Sequence, residues 1–288
     1  MQERTRLATS AVALLLAAPV LTAPATAATR DSATTHSSGD PAVISEWNAI
    51  AVTTLLGDPT KVALEGYLYL GFMHAAVYNA VVGIEGRYEP YRFHARAPHR
   101  ASAQAAAVAA AHKVLVTYSP YATDPLNAAY AASLAEIADG KAKSWGIAYG
   151  ELAADTLIAQ RVGDGRNDAT IQWTQPPAPG VWRPTPPAFA PFTAPWLGYM
   201  KPLLIRSGAQ FGQPGPPPAM TSRRYTRDFN EVKALGSNDP TTRSAKQNEI
   251  AQFYSGNPIV QFATALRDQA AIRRLDIVDS ARMLPPSI

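Results

Sequence analysis

Apolar residues recur along most of this chain at the three-to-four-residue spacing of helices, and nowhere in the sustained alternation of strands. Asp40-Pro41 reads as an N-cap followed by a first-turn proline. After it Ile44, Trp47, Ile50, Ala51 and Leu55 share one face, until Gly57-Asp58-Pro59 ends the helix. Residues 60–82 predict a longer helix. Its Val62, Leu64, Leu68, Leu70, Phe72, Met73, Val77 and Val81 leave few polar sides, so it is expected at the centre of a core. A loop rich in aromatics and prolines, 87–100, leads to an alanine-rich helix over 101–118. Alanine has high helix propensity and lets neighbouring helices approach closely. Asp124-Pro125 opens a helix to about 137, Asp139-Gly140 turns the chain, and 141–161 is a further helix stopped by Gly163-Asp164-Gly165.

The pattern then changes. Pro176-Pro177, Pro179, Pro184, Pro186-Pro187, Pro191, Pro195 and Pro216-Pro217-Pro218 exclude regular helix from most of 175–218. The same stretch holds Trp182, Phe189, Phe192, Trp196, Tyr199 and Phe211, which a disordered linker would lack. It predicts an ordered, extended segment that wraps the helical body and plugs rings into it. Helical spacing resumes at Thr221-Ser222 and runs to about 235. Asn238-Asp239-Pro240 caps the next helix, to about 254, and others cover 258–274 and 276–283, where Leu284-Pro285-Pro286 breaks the pattern. No fixed repeat length appears. The fold class is all-α. The expected organisation is a secretory signal at 1–28, a disordered linker at 29–40 and a helical bundle at 41–165. The extended segment follows at 166–220, and further helices occupy 221–288.

Composition narrows the possibilities. At 288 residues the chain can bury a substantial core, and its 47% hydrophobic content is ordinary. Charged residues are sparse at 17%, and the net charge of +4 comes with no basic stripe, so no nucleic-acid partner is expected. Without cysteine there is no disulfide, thiolate metal site or cysteine nucleophile. Arg4 and Arg6, the apolar stretch 8–21 and the Ala25-Thr26-Ala27 tripeptide have the form of a secretory signal. That stretch is shorter than the roughly 20 residues needed to span a bilayer. The expectation is an exported, extracytoplasmic protein with no stable membrane anchor after cleavage. No adjacent Arg-Arg pair stands in this leader.

Candidate chemistry is thin. His36 lies in the linker and His94 and His99 in the loop, with no carboxylate pair near them to make a metal site. His74 and His112 sit within apolar helices and read as satisfied core histidines. Glu65 and Glu85 stand near opposite ends of one helix, too far apart to work as an acid/base pair. Arg223, Arg224 and Arg227 crowd a helix start, where the dipole does not favour cations, and read as a solvated face. Nucleophile elbows, phosphate loops and zinc-helix motifs are missing.

An ordered series of short stretches nevertheless resembles one family. It comprises Glu46-Trp47-Asn48-Ala49-Ile50-Ala51, Met73-His74-Ala75-Ala76-Val77-Tyr78-Asn79-Ala80-Val81, Arg87-Tyr88-Glu89-Pro90-Tyr91, Gly180-Val181-Trp182-Arg183-Pro184-Thr185-Pro186-Pro187, Asn230-Glu231-Val232-Lys233-Ala234-Leu235-Gly236 and Asp279-Ser280-Ala281-Arg282. In this order and spacing, over about 43–283, the chain resembles the N-terminal half of vanadium-dependent haloperoxidases and the related type-2 phosphatidic acid phosphatases. The resemblance implies two helical bundles. The catalytic lysine, arginine, Ser-Gly-His and histidine would lie in the C-terminal one, cradling vanadate or phosphate with cationic and N–H donors.

Those motifs have no counterpart here. Arg183-Pro184 has Pro176 where the lysine would stand. Ser207-Gly208 is followed by Ala209, and Ser255-Gly256 by Asn257. Arg30 and His36 have the right spacing but fall in the linker. No catalytic, cofactor-binding or metal-binding residue is therefore assigned. The second, catalytic bundle is expected to be absent, through a truncation or frameshift near Leu284-Pro285-Pro286, and the chain to be inactive alone. Vanadate is the cofactor expected of the full-length relative. The activity would be halide oxidation by peroxide, with phosphoester hydrolysis or a stand-alone binding or scaffold domain as alternatives. A second chain or self-association is expected to cover the exposed bundle face.

Overall fold

In the computed structural model of the chain, residues 39–212 and 214–284 are described. The predicted signal at 1–28 and nearly all of the predicted linker lie outside them. Among the described residues there are helices and loops and no strand. The helices are α1 (Ala42–Leu56), α2 (Ala63–Glu85), α3 (Ala103–Tyr118), α4 (Thr123–Ala135), α5 (Lys141–Gln160), α6 (Arg223–Leu235), α7 (Ala245–Tyr254), α8 (Pro258–Ile272) and α9 (Ile277–Met283).

Local chemistry sets their ends. Asp40 Oδ1 accepts from the Ala42 N–H at 2.9 Å, so Asp40 caps α1 as its sequence position predicts. The long apolar helix starts three residues later than expected. Asp58 Oδ1 takes both the N–H and the hydroxyl of Thr60, holding the chain in a turn, and the Glu65 carboxylate accepts the Val62 N–H. Gly86 ends α2 in the left-handed region at φ 71° and donates to the Val82 carbonyl. At α7, Asp239 accepts from Thr241 and makes a single 3₁₀ turn of Pro240–Thr242. The helix itself begins after a Ser244/Gln247 capping box.

The centre is α3, which packs against α5, α2, α4 and α1. Its alanines 105–111 are all within the core, 2% exposed or less, like Val108, Val114 and Leu115. Closeness is shared from both sides. Gly146 and Gly150, one turn apart on α5, face the backbone of Ser102 and Ala106, and a Cβ on either would overlap a carbonyl oxygen of α3. The expectation for α2 holds. Its stretch Leu64–Glu85 is apolar and long enough to cross a membrane, yet 72% of its 18-residue apolar window is buried inside the protein. From the other end of the chain, α9 returns to α2 and α1, and α8 lies on α1. Arg87 fastens this return with two bonds to Asp276, of 2.7 and 2.6 Å.

The extended segment differs from expectation in one respect. Of its aromatic rings only Trp196 enters the core. Trp182 and Phe192 instead join Trp173 in a cluster of their own, with ring centroids 4.9–5.8 Å apart. Phe189, Tyr199 and Phe211 are exposed. The prolines deny this segment a helix whose side could be buried, so its rings meet one another more readily than they meet the bundle.

Candidate functional site

Two buried polar constellations stand out from the apolar body. The first begins at the end of α5. Gly163, Gly165 and Asn167 have φ of 63°, 91° and 58°, and this winding folds Asp164 back beneath the helix terminus. Arg161 Nε donates to Asp164 Oδ2 at 2.8 Å and Arg166 Nε to Oδ1 at 2.8 Å. Arg161 also donates to the carbonyl of Lys201. The Arg166 guanidinium lies 4.9 Å from the ring centroids of both Phe72 and Tyr118. Arg161, Asp164, Arg166 and Tyr118, with Tyr69 and Asn167, line an open cleft of about 280 Å³. Burial pushes the Tyr69 and Tyr118 hydroxyls above their ordinary pKa, so both stay protonated near neutrality.

Two guanidiniums beside a cleft could grip an oxyanion, but Asp164 already takes both of them. What the constellation does is mechanical. It locks the point where the extended segment leaves α5 and pins its return at Lys201, helped by the Tyr91 hydroxyl donating to the Leu203 carbonyl. Sequence reading used Gly163-Asp164-Gly165 only as a stop. The flanking arginines at 161 and 166 were the available sign of an ion cluster.

The second constellation joins three helices. His74 of α2 is 1% exposed, and its Nε2 lies 2.8 Å from Asn48 Nδ2 of α1. Arg267 of α8 donates to Asn48 Oδ1 at 2.6 Å. An arginine can only donate, so Asn48 turns its oxygen to Arg267 and its amide nitrogen to the ring. The ring nitrogen facing Asn48 is then an acceptor, and the proton sits on Nδ1, which has no partner. Burial lowers the His74 pKa to about 3. His74 is thus a neutral core histidine whose Nδ1–H lacks an acceptor. Its link through Asn48 to Arg267, 219 residues from that asparagine, has no signal in the sequence.

The remaining candidates are scattered. His112 is half-buried, stacked on Tyr130 at 4.2 Å with Nε2 2.8 Å from Asn127 Oδ1. His94 and His99 are exposed. Glu65 caps α2, and Glu85 stands at its far end. Arg223, Arg224 and Arg227 are exposed, the last two near Asp228 at 3.8 and 3.1 Å. Arg183-Pro184, Ser207-Gly208 and Ser255-Gly256 lie at the surface. Among the described residues, no three His, Asp or Glu side chains gather where they could hold a metal ion.

By sequence, no protein family and no curated protein matches the chain. By structure it is similar to the crystal structure of a bacterial vanadium-dependent iodoperoxidase, with a TM-score of 0.68 at 21% identity. The match covers 85% of this chain and 65% of the iodoperoxidase. The chain therefore has the helical fold of the iodoperoxidase over the matched part, and spans about two thirds of that protein's length. Neither buried constellation fits a vanadate site. His74 is sealed in the core with its acceptor nitrogen taken by Asn48, and Arg161 and Arg166 are neutralised by Asp164.

Proposed function

We propose that this chain is the N-terminal, scaffolding part of an exported vanadium-dependent haloperoxidase-like protein, and that it has no turnover by itself. In the full-length relative, halide would be oxidised by hydrogen peroxide at vanadate held by residues outside this chain. The observation carrying this reading is the lopsided structural match, which takes in 85% of this chain but 65% of the iodoperoxidase. The ordered motif series over 43–283 points the same way, and Arg4, Arg6 and the apolar stretch 8–21 support export. The contribution of this part is a rigid body, built on α3, on which a second bundle rests.

The test is an assay of the purified chain with orthovanadate, bromide or iodide, and peroxide, following halogenation of a phenol dye. The expected rate equals that of vanadate without protein. Dye halogenation that scales with protein concentration overturns the proposal. Hydrolysis of p-nitrophenyl phosphate by the chain alone would overturn it equally, and would favour a phosphatase.

A further inference from the structure

The chain of contacts from His74 through Asn48 ends at Arg267, and Arg267 opens onto a cavity of about 440 Å³. The cavity lies where the start of α1, the end of α8 and α9 meet. Its size falls within the ~300–1,000 Å³ range of small-molecule pockets. Pro41, Ala270 and Leu275 give it apolar walls. Arg267 and Arg274 bring positive charge to it, and Asp40 and Asp268 negative charge. Among the described residues none of these four forms an ion pair within 4.0 Å. Opposite charges therefore share one cavity without neutralising each other. Arg267 donates to Asn48 Oδ1 and Thr264 Oγ1, both uncharged acceptors, so its charge stays uncompensated. Asp40 gives one oxygen to the cap of α1 and keeps the other.

Two further features set this cavity apart from a chance gap between helices. Ser280 of α9 lines it and is 2% exposed, yet its hydroxyl makes no hydrogen bond among the described residues. A buried hydroxyl left without a partner is destabilising, and a bound acceptor would relieve it. Arg274 occupies the left-handed position that closes α8, at φ 50°. There the Leu275 N–H bonds the Ala270 carbonyl and the Arg274 N–H bonds that of Ala271. Glycine is the ordinary residue at this point of such a helix end. Arginine suits the turn less well, but it places a guanidinium at the cavity.

The mixed lining disfavours a simple anion, which the aspartates would repel, and a simple cation, which the arginines would repel. A small molecule carrying both charges answers all four groups at once. We propose that the cavity binds a free α-amino acid with a large apolar side chain. The carboxylate accepts from Arg267, Arg274 and the Ser280 hydroxyl, and the ammonium donates to Asp268 and Asp40. The side chain lies against Pro41, Ala270 and Leu275. This inference stands apart from the proposed function and does not require haloperoxidase ancestry.

Calorimetric titration of the purified chain with L-phenylalanine tests it. The expected dissociation constant lies between about 50 µM and about 2 mM. 3-Phenylpropionate lacks the ammonium and 2-phenylethylamine lacks the carboxylate, so each should bind at least ~10-fold more weakly. Arg274→Gly and Asp268→Ala should each weaken L-phenylalanine binding by about tenfold or more, and Ser280→Ala by about threefold. Glycine fits the left-handed backbone at 274, so Arg274→Gly should leave the melting temperature unchanged or raise it. Its loss of binding will then not reflect loss of fold. No heat of binding up to about 10 mM L-phenylalanine overturns the proposal. So does binding that is indifferent to both Arg274→Gly and Asp268→Ala. Either half-ligand binding as tightly as L-phenylalanine overturns it in favour of a site for a simple acid or amine.

Discussion

Helices α3 and α6 make an instructive pair. The sequence of α3 is mostly alanine and valine and shows no clear stripe, yet most of the helix is buried. That of α6 has the clearest apolar stripe in the chain, Tyr225, Phe229 and Val232, and the helix buries nothing. A stripe records that a helix has one side to cover, but not that the cover lies in the same chain. A helix apolar all round can only belong inside a core. Small side chains then decide how near its neighbours come. Gly146 and Gly150 let α5 approach α3 closely, and this tight body stands beside an open α6–α7 face.

The contrast can be broken most forcefully at that close approach. Gly150→Val would drive a branched side chain into the Ala106 carbonyl and should cost about 3 kcal/mol or more in urea unfolding, enough to prevent folding in many contexts. Gly198→Ala, where nothing lies within 4 Å of the new methyl, should change stability by less than about 0.5 kcal/mol. A loss at Gly150 as small as at Gly198 would mean that α3 and α5 are loosely packed.

Next comes Arg161→Ala. It leaves Asp164, 5% exposed, with only Arg166, and strips the Lys201 carbonyl of its donor. Breaking a buried pair of this kind costs about 3–5 kcal/mol. Limited proteolysis should show cleavage near Lys201 that is absent from the parent chain. Unchanged proteolysis would show that Trp196, not the ion cluster, holds the extended segment.

His74 predicts a pH dependence. Its folded pKa of about 3 lies below the ordinary 6.5, so between these values the unfolded chain binds a proton that the folded chain excludes. Stability is therefore complete above about pH 6.5 and falls as the pH drops toward 3. The difference, at about 1.4 kcal/mol per pH unit, is on the order of 4–5 kcal/mol across the whole window. His74→Gln should flatten the slope of unfolding free energy between pH 6.5 and 4. The same slope in both proteins would assign it to other groups.

A smaller effect belongs to the exposed clasp at α9. The hydrogen bonds from Arg87 hold the Asp276 carboxyl below its usual pKa. Its contribution is thus present above the ordinary carboxylate range and lost as the pH falls through the lowered value. Both side chains are about 40% exposed, so Arg87→Ala should cost less than about 1 kcal/mol at pH 7 and nothing near pH 2. A larger loss would show that α9 depends on this clasp more than on the buried Ile277 and Val278.

Much of the helical layout was legible along the chain, because caps and stops are local. Asp40-Pro41, the Gly163 stop and the Pro-rich break at 175–218 all mark real transitions. The shifted starts of α2 and α7 come from Asp58 and Asp239, whose side chains hold the next residues in turns before a helix can begin, and an aspartate before a turn reads much like an N-cap. The polar constellations were largely illegible. His74 looks like any histidine in an apolar helix, and Arg267 like any surface arginine, until tertiary packing puts Asn48 between them.

The residues by themselves determine an all-helical chain with a buried α2, an alanine-rich centre and a proline-rich interruption. Periodicity and turn chemistry act over a few residues and need no fold to be read. Tertiary structure alone decides that α9 returns to α2, that Arg267 reaches Asn48 beside His74, and that the stripe of α6 faces outward. These depend on which surfaces meet across a hundred residues or more. A local pattern states what a surface requires, and only the assembled fold shows whether the requirement is met within it.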